Sequence, residues 1–224
     1  MKFSDKKLLL FDLDGTLIDS APDLAYAVNL MLEKLERNTF SEEVIHGWVG
    51  NGAQILVKRA LSGNVLIDDN LDESYVAEAL EIFFDFYAKH LCDATYTYAN
   101  VPHTLRTLKN RGYRLVIVTN KPFAFVAPIL NSLDLEGLFE LVLGGDSLAV
   151  KKPDPAPLLH ACSVLKTEVH HCVMIGDSRN DIQAANACSM HSVGVSYGYN
   201  YGQKIDVFNP TVVIDDFAEL LKVL

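Results

Sequence analysis

Leu8-Leu9-Leu10-Phe11-Asp12-Leu13-Asp14-Gly15-Thr16 is the stretch on which the reading of this chain turns. Four consecutive large apolar residues predict a strand buried on both faces, because a half-exposed strand alternates apolar and polar positions. The run stops at two acids separated by one leucine. On an extended backbone Asp12 and Asp14 lie on the same side, about 7 Å apart. Gly15 permits a turn through positive φ, and Thr16 opens the next segment. Two carboxylates at the end of a buried strand repel each other and resist desolvation unless a cation or a proton accompanies them. Taken alone, the pattern also fits a solvated strand-end turn, so the rest of the chain decides.

Downstream, the period changes to helical. Asp19-Ser20-Ala21-Pro22 carries a capping residue and a proline in the first turn, and Leu24, Ala27, Val28, Met31, Leu32 and Leu35 follow at helical spacing. Ser41-Glu42-Glu43 starts a short helix, Gly50-Asn51-Gly52 interrupts before another near 53–61, and Asp72-Glu73 opens a long one bearing Val76, Leu80, Phe83, Phe84 and Tyr87. From about 18 to 94 there is no strand candidate. After Tyr96-Thr97-Tyr98 the pattern becomes strand–helix alternation, with strands expected at 114–118, 139–143, 172–175, 192–195 and 211–214 and helices between them. Such alternation implies a parallel sheet with helices on both faces. The expected architecture is therefore an α/β, Rossmann-like three-layer core from residues 1–17 and 95–224, with a small α-helical cap from residues 18–94 inserted after the first strand.

Composition sets outer limits. At 224 residues with 50% hydrophobic side chains, the chain can bury a substantial core without covalent staples. A net charge of −10 and the absence of a basic run argue against a nucleic-acid partner. Cys92, Cys162, Cys172 and Cys188 show no C-x-x-C spacing and read as small buried hydrophobes in a reducing compartment. No apolar run resembles a signal peptide or a membrane span. A cytoplasmic protein without a membrane partner is expected, either a monomer or a small homo-oligomer. His170-His171 read as surface residues and Lys151 as a solvated neighbour of Lys152.

Ligands of open parallel sheets bind beyond the carboxyl ends of the strands, near the switch in strand order. The unusual polar clusters fall there: Asp12 and Asp14 after the first strand, Thr119 and Asn120 after the second, Lys152 shortly after the third, and Asp177 and Asp181 after the fourth. Each alone has a plain alternative as a turn, a cap or a solvated side chain; their occurrence together at one sheet edge does not. Several carboxylates without histidine suit a hard cation, with Mg²⁺ the natural candidate. The metal offsets the repulsion between these acids and a phosphate, one acid is then free to attack phosphorus, and a lysine and a hydroxyl can hold phosphoryl oxygens.

Asp12-Leu13-Asp14-Gly15-Thr16, Thr119, Lys152-Pro153 and Gly176-Asp177-Ser178-Arg179-Asn180-Asp181 resemble, in order, the four motifs of the haloacid dehalogenase-like hydrolases. The helical insertion resembles that superfamily's small cap. Trp48-Val49-Gly50-Asn51-Gly52-Ala53, the stretch 176–185 and the loop 197–202 are similar to bacterial phosphoglycolate phosphatases. The resemblance implies a Mg²⁺-dependent phosphomonoester hydrolase acting on a small anionic substrate, 2-phosphoglycolate, through an aspartyl-phosphate. Asp12 would be the nucleophile and a metal ligand. Asp14 would bind the metal through its carbonyl, and its side chain would protonate the leaving alkoxide and then activate water. Thr119 and Lys152 would hold the phosphoryl group, Asp177 would complete the metal ligands, and Asp181 would support them from one helical turn away. Gly15 and Asn120 are further expected substrate contacts. In the cap, the Gly50-Asn51-Gly52 amides, Lys58 or Arg59 are expected to meet the substrate carboxylate, since a glycine-flanked loop opening a helix suits an anion. A plain interhelical turn with solvated basic residues is the other reading of the same loop. Tyr96 and Tyr98 read as hinge packing, and the 197–202 loop, bland in itself, as a packed turn. At Cys188 relatives often carry a helix-ending glycine. Other readings left open are another small phosphomonoester or sugar-phosphate phosphatase, a β-phosphoglucomutase-like phosphotransferase, and a non-catalytic phosphoacceptor or binding module.

Overall fold

The computed structural model describes residues 3, 5–200 and 202–224; Met1, Lys2 and Ser4 of the expected core segment, and Tyr201 of the 197–202 loop, lie outside the described residues. The first strand, β1 (Leu8–Phe11), has all four side chains fully buried. Alternation explains why. Leu9 and Phe11 point into one apolar cluster with Val101, Leu105 and Ile129, whereas Leu8 and Leu10 point into a second with Leu158, Ala161 and Ala184. A strand that must satisfy two cores cannot alternate in polarity.

The remaining elements follow from the patterns above. They are β2 (Ile18–Asp19), α1 (Ala21–Lys34), α2 (Glu42–His46), α3 (Ala53–Ser62), α4 (Glu73–Tyr87), β3 (Tyr96–Thr97), α5 (Val101–Asn110), β4 (Arg114–Val118), α6 (Phe123–Ser132) and β5 (Leu141–Leu143). Beyond them come α7 (Ala156–Val164), β6 (Cys172–Gly176), α8 (Arg179–Ala187), β7 (His191–Val195), β8 (Val212–Ile214) and the terminal turn α9 (Leu220–Val223). The main sheet is parallel, in the order β5-β4-β1-β6-β7-β8. β1 is central, with Leu10 opposite Val116 on one side and Met174 on the other. The chain thus winds outward in both directions from β1, and the switch point lies where Asp12 emerges.

Helices α1 to α4 pack around their own apolar cluster, which includes Val28, Met31, Trp48, Leu56, Val57 and Phe83. Two refinements concern how this unit is tied on. First, the stretch from 18 is not helical at its start: β2 pairs antiparallel with β3, Ile18 opposite Thr97 and Asp19 opposite Tyr96. Two residues are too few to show a strand period. Second, Ser20 stands at the α1 N-cap but makes no side-chain cap bond. Its hydroxyl goes to Asp14, and the Ala21 N–H is met by Asp19 and by the Tyr199 hydroxyl, each at 3.1 Å. Ser41 and Asp72 do cap α2 and α4.

All four cysteines are free thiols. Cys162 and Cys172 are buried with their sulfurs 3.4 Å apart, while Cys92 and Cys188 are half-buried. The left-handed residue that ends α8 is Ser189 (φ 57°), so Cys188, at φ −111°, needs no glycine. No helix among the described residues is long and apolar enough to cross a membrane.

Candidate active site

Asp12 leaves β1 with its N–H donated to the Ile175 carbonyl at 2.9 Å, which locks it between β1 and β6. Lys152 is the neighbour that defines its charge. Its Nζ lies 2.9 Å from Asp12 Oδ1 and 2.6 Å from Asp181 Oδ1, and the lysine side chain is 1% exposed. Asp12 Oδ1 is buried and meets this ammonium as an ion pair, with no other donor to it among the described residues. Burial pushes the Asp12 carboxyl up to about 7, against the pull of Lys152, and the nearby Asp181 and Asp14 add to the rise. Burial opposes the charge on Lys152 too, but Asp12 and Asp181 outweigh it and hold the ammonium charged.

Asp177 follows β6. Its Oδ1 accepts from Thr16 Oγ1 at 2.7 Å and its Oδ2 from the Tyr199 N–H at 2.6 Å. The backbone closes tightly around it. A Cβ on Gly15 (φ 87°) would sit 2.4 Å from Asp177 Oδ2, and one on Gly198 would sit 2.3 Å from Asp177 Cβ. Only glycine fits either position. Burial, with Asp181 and Asp12 nearby, raises the Asp177 carboxyl well above the usual carboxylate range.

Asp12, Asp177 and Asp181 can each present an oxygen within 4.8 Å of the others, a set suited to a metal ion. The donors differ in availability. Asp181 already uses Oδ1 for Lys152, and Oδ2 for the Ser178 N–H at 3.0 Å and Oγ at 2.7 Å. The Asp12 carboxylate is met by Lys152 alone among the described residues. An all-oxygen, acidic and largely buried cluster containing one so lightly committed carboxylate fits a hard divalent cation.

Asp14 faces the same cavity as Asp12, Thr119 and Asn120. Its Oδ1 accepts from Ser20 Oγ at 2.5 Å and from Lys121 Nζ at 2.9 Å, leaving Oδ2 without a recorded partner among the described residues. Lys121 also donates to Tyr87 Oη at 2.6 Å and lies 4.8 Å from the centre of that ring. Thr119 is buried, with Oγ1 accepting from the Lys121 N–H at 3.1 Å. Asn120 gives its amide to the Lys152 carbonyl at 3.0 Å, tying the second strand end to the lysine loop.

The expected cap contacts divide. Gly50 and Gly52 line the cavity. Asn51 instead meets the core, since Asn180 Nδ2 donates to the Gly50 carbonyl at 3.2 Å and to Asn51 Oδ1 at 3.1 Å. Lys58 is turned away and pairs with Glu73 at 2.5 Å on the cap surface. Arg59 is no solvated or substrate-facing cation either. It is buried, donating from NH1 to the Trp48 carbonyl at 2.6 Å and from Nε to the Val65 carbonyl at 3.1 Å. Lys58 lies two residues beyond the cavity-facing Leu56 and so on the opposite side of α3, whereas Arg59, three residues on, is drawn off the site by the carbonyls it holds. Lys151, expected to be solvated, is half-buried, with Nζ 3.0 Å from where a Cβ on Gly52 (φ 86°) would lie.

Several residues that shape the site carry no clear signal in the sequence. Lys121 ends the Thr119-Asn120-Lys121 triplet and could have been drawn from it. Tyr87 could not, because its helical spacing reads as core and its ring does stack on Phe83 at 5.5 Å. The Tyr199 hydroxyl accepts from Ser20 N–H at 2.9 Å and donates to Asp19 at 2.6 Å, at the base of the cap. The 197–202 loop is thus more than a packed turn. Tyr96 reaches Asp19 at 2.9 Å and Tyr98 packs on Tyr197 at 4.5 Å, so both are engaged in protein contacts beside β2 and β3.

A parallel sheet that gathers acids, a threonine and a lysine at adjacent strand ends, under a helical lid, defines a class: the chain belongs to the haloacid dehalogenase-like hydrolases, whose family model matches residues 6–189. Within it, the chain is 53% identical over 221 residues to the phosphoglycolate phosphatase of Colwellia psychrerythraea, covering 99% of this chain and 98% of that one. It is 44% identical to the phosphoglycolate phosphatase of Mannheimia succiniciproducens, covering 99% of each. Among solved structures, one described as a predicted phosphoglycolate phosphatase from Haemophilus somnus superposes with a TM-score of 0.91 at 38% identity, over 98% of both chains.

Proposed function

We propose that the protein hydrolyses 2-phosphoglycolate to glycolate and phosphate through an aspartyl-phosphate on Asp12. One observation carries the chemistry: the Asp12 carboxylate lines the cavity with a fixed ammonium 2.9 Å from its Oδ1 and no other side-chain donor committed to it among the described residues. A carboxylate so placed is held for attack rather than for structure. The named relatives supply the substrate.

In the first step an Asp12 carboxylate oxygen attacks phosphorus as the bond from phosphorus to the glycolate oxygen breaks. Asp14, protonated on its uncommitted Oδ2, gives that proton to the departing alkoxide. In the second step Asp14 takes a proton from water, whose oxygen attacks the phosphoryl group. The bond to Asp12 breaks and phosphate leaves. Thr119 and Lys152 hold the phosphoryl oxygens through donors that remain in place during both displacements. Asp12, the Asp14 carbonyl and Asp177 would hold Mg²⁺, which supplies charge neutralisation for the phosphoryl group when bound. Asp181 orients Lys152 and stays outside the ligand set. Residues 18–94 serve as a cap that excludes water and shapes the space for the leaving group.

The test is phosphate release from a panel of small phosphomonoesters, with Mg²⁺ and with EDTA. Mg²⁺-dependent turnover that favours 2-phosphoglycolate is expected, together with loss of at least ~10³-fold in Asp12→Asn. Preference for a sugar phosphate would overturn the substrate, and full activity in Asp12→Asn would overturn the nucleophile.

A further inference from the structure

Lys121 and Tyr87 meet across the boundary between core and cap, directly over Asp14. We infer that the Lys121 ammonium, with the Tyr87 hydroxyl, binds the carboxylate of the leaving group and so selects the substrate. The inference rests on the 2-phosphoglycolate reading above and adds the residues that would enforce it.

With Lys152 given to Asp12 and the phosphoryl group, Lys121 is the cationic side chain on the cavity wall beside Asp14. Its companions on the cap side of that cavity are apolar, namely Leu24, Val49, Leu56, Phe83 and Phe84, with Phe125 beside them from the core. A buried ammonium set against apolar walls discriminates between an anion and a neutral group of the same size, because little water remains to screen the difference.

The donor count leaves room for an anion. An ammonium has three N–H donors. Two are committed, to Asp14 Oδ1 at 2.9 Å and to Tyr87 Oη at 2.6 Å. Because the phenol oxygen accepts from Lys121, its own hydrogen is available, and no bond donated by Tyr87 is recorded among the described residues. Two donors thus remain uncommitted next to each other, and buried donors of this kind are ordinarily satisfied. A carboxylate, with two acceptor oxygens, matches the pair.

Position completes the case. The oxygen that leaves phosphorus must come within hydrogen-bond reach of Asp14 to receive its proton. In phosphoglycolate the carboxylate is attached to that oxygen through one methylene. A group so tethered lies beside whatever touches Asp14, and Lys121 is the charged side chain that does. The tyrosine is rigidly presented, its ring stacked on Phe83 at 5.5 Å and set edge-on to Phe125 at 5.2 Å. Since Tyr87 ends α4 in the cap and Lys121 follows β4 in the core, the pair is complete only when cap and core are together. By contrast Lys58 and Arg59 are committed elsewhere within the cap.

The experiment compares kcat/KM for 2-phosphoglycolate with that for 2-hydroxyethyl phosphate, which replaces the carboxylate by a neutral group of similar size. It is run on the Mg²⁺-loaded wild type, Lys121→Met and Tyr87→Phe, with circular dichroism to confirm folding. The wild type should favour the carboxylate substrate. Lys121→Met should cut that preference by at least ~10-fold, beyond any loss common to both substrates. Tyr87→Phe keeps the ring packing and should lower the preference by about 3- to 10-fold. A preference that survives intact in both variants, with activity falling equally on the two substrates, would show that Lys121 only positions Asp14 and would overturn the inference. A wild type with no preference for the carboxylate would instead refute the 2-phosphoglycolate reading and the inference with it, so the two failures are told apart by the wild type alone.

Discussion

Lys152 and Asp181 form a 2.6 Å ion pair that solvent does not reach, with side-chain exposures of 1% and 0%. A charge buried this deeply is costly unless paired, and losing one partner penalises the other. Asp181 also receives two donors from Ser178, so it acts as a fixed strut for the lysine. Asp181→Asn should therefore lower kcat about 10- to 100-fold while leaving the fold intact. Asp181 is among the groups that raise the Asp12 carboxyl, so its neutralisation should also move the acid limb of the pH profile to lower pH. A pH series of kcat/KM checks both effects, and an unmoved acid limb would remove Asp181 from the electrostatics of Asp12.

The buried acids predict a pH-dependent stability in the absence of metal. Asp12 is raised to about 7 when folded, above its ordinary value of 3.8, and Asp177 moves the same way, both chiefly through burial. Between the unfolded and folded values the native state binds more protons than the unfolded chain, so stability falls as pH rises through that window. The 13% of the Asp12 side chain left exposed moderates the effect, and a loss on the order of a few kcal/mol between pH 5 and pH 8 is expected. In EDTA the melting temperature should drop by several degrees over that range, and Mg²⁺ at pH 8 should restore it because it binds only the folded carboxylates. A flat EDTA profile would contradict the assigned burial.

The core was legible because its constraints are local and repetitive. Leu8 to Leu10 must fill two apolar layers, so the central strand declares itself, and Asp12, Thr119 and Asp177 mark where neighbouring strands end. The strand at Arg114–Val118 is found at its expected bounds. What the sequence hid depends on contacts distant along the chain. Nothing near Tyr87 indicates that its hydroxyl meets Lys121, and Ser20 reads as a cap until its hydroxyl is seen on Asp14. Basic residues mislead for the related reason that charge alone does not say which way a helix faces.

Lys58 and Arg59 provide a direct contrast between neighbours. The Lys58–Glu73 pair is a surface bridge whose acid is 70% exposed, and such pairs contribute little. Lys58→Ala should leave KM for 2-phosphoglycolate unchanged and stability within about 0.5 kcal/mol. Arg59 is 6% exposed and holds two carbonyls of the cap. Arg59→Ala should destabilise by about 2–3 kcal/mol, measured by urea unfolding, because buried acceptors lose a charged donor. A large rise in KM for Lys58→Ala, without loss of stability, would place that lysine at the substrate after all.

Asn180 supplies the direct bond from the core motif to the cap loop, giving its amide to the Gly50 carbonyl at 3.2 Å and to Asn51 Oδ1 at 3.1 Å. It stands on α8, anchored by the same turn that positions Asp177 and Asp181, so the contact with the Gly50-Asn51 loop and the ordering of the acids share one support. If this bond favours the closed arrangement, removing it taxes binding before chemistry, in proportion to the fraction of closed molecules lost. Asn180→Ala should raise KM about 3- to 10-fold, the equivalent of roughly 1 kcal/mol, with a smaller change in kcat. Asn180→Asp should act in the same direction and more strongly, since it replaces the donor with an anion facing two oxygens. Trp48, 4% exposed within the cap and close in sequence to Gly50, offers an independent readout. Its quenching by acrylamide should increase in both variants and fall again when substrate is added to a slow Asp12→Asn background. Wild-type KM and unchanged quenching in both variants would mean that closure is held by the apolar contacts of Phe84 and Tyr87 with Phe125, and that Asn180 serves only the core.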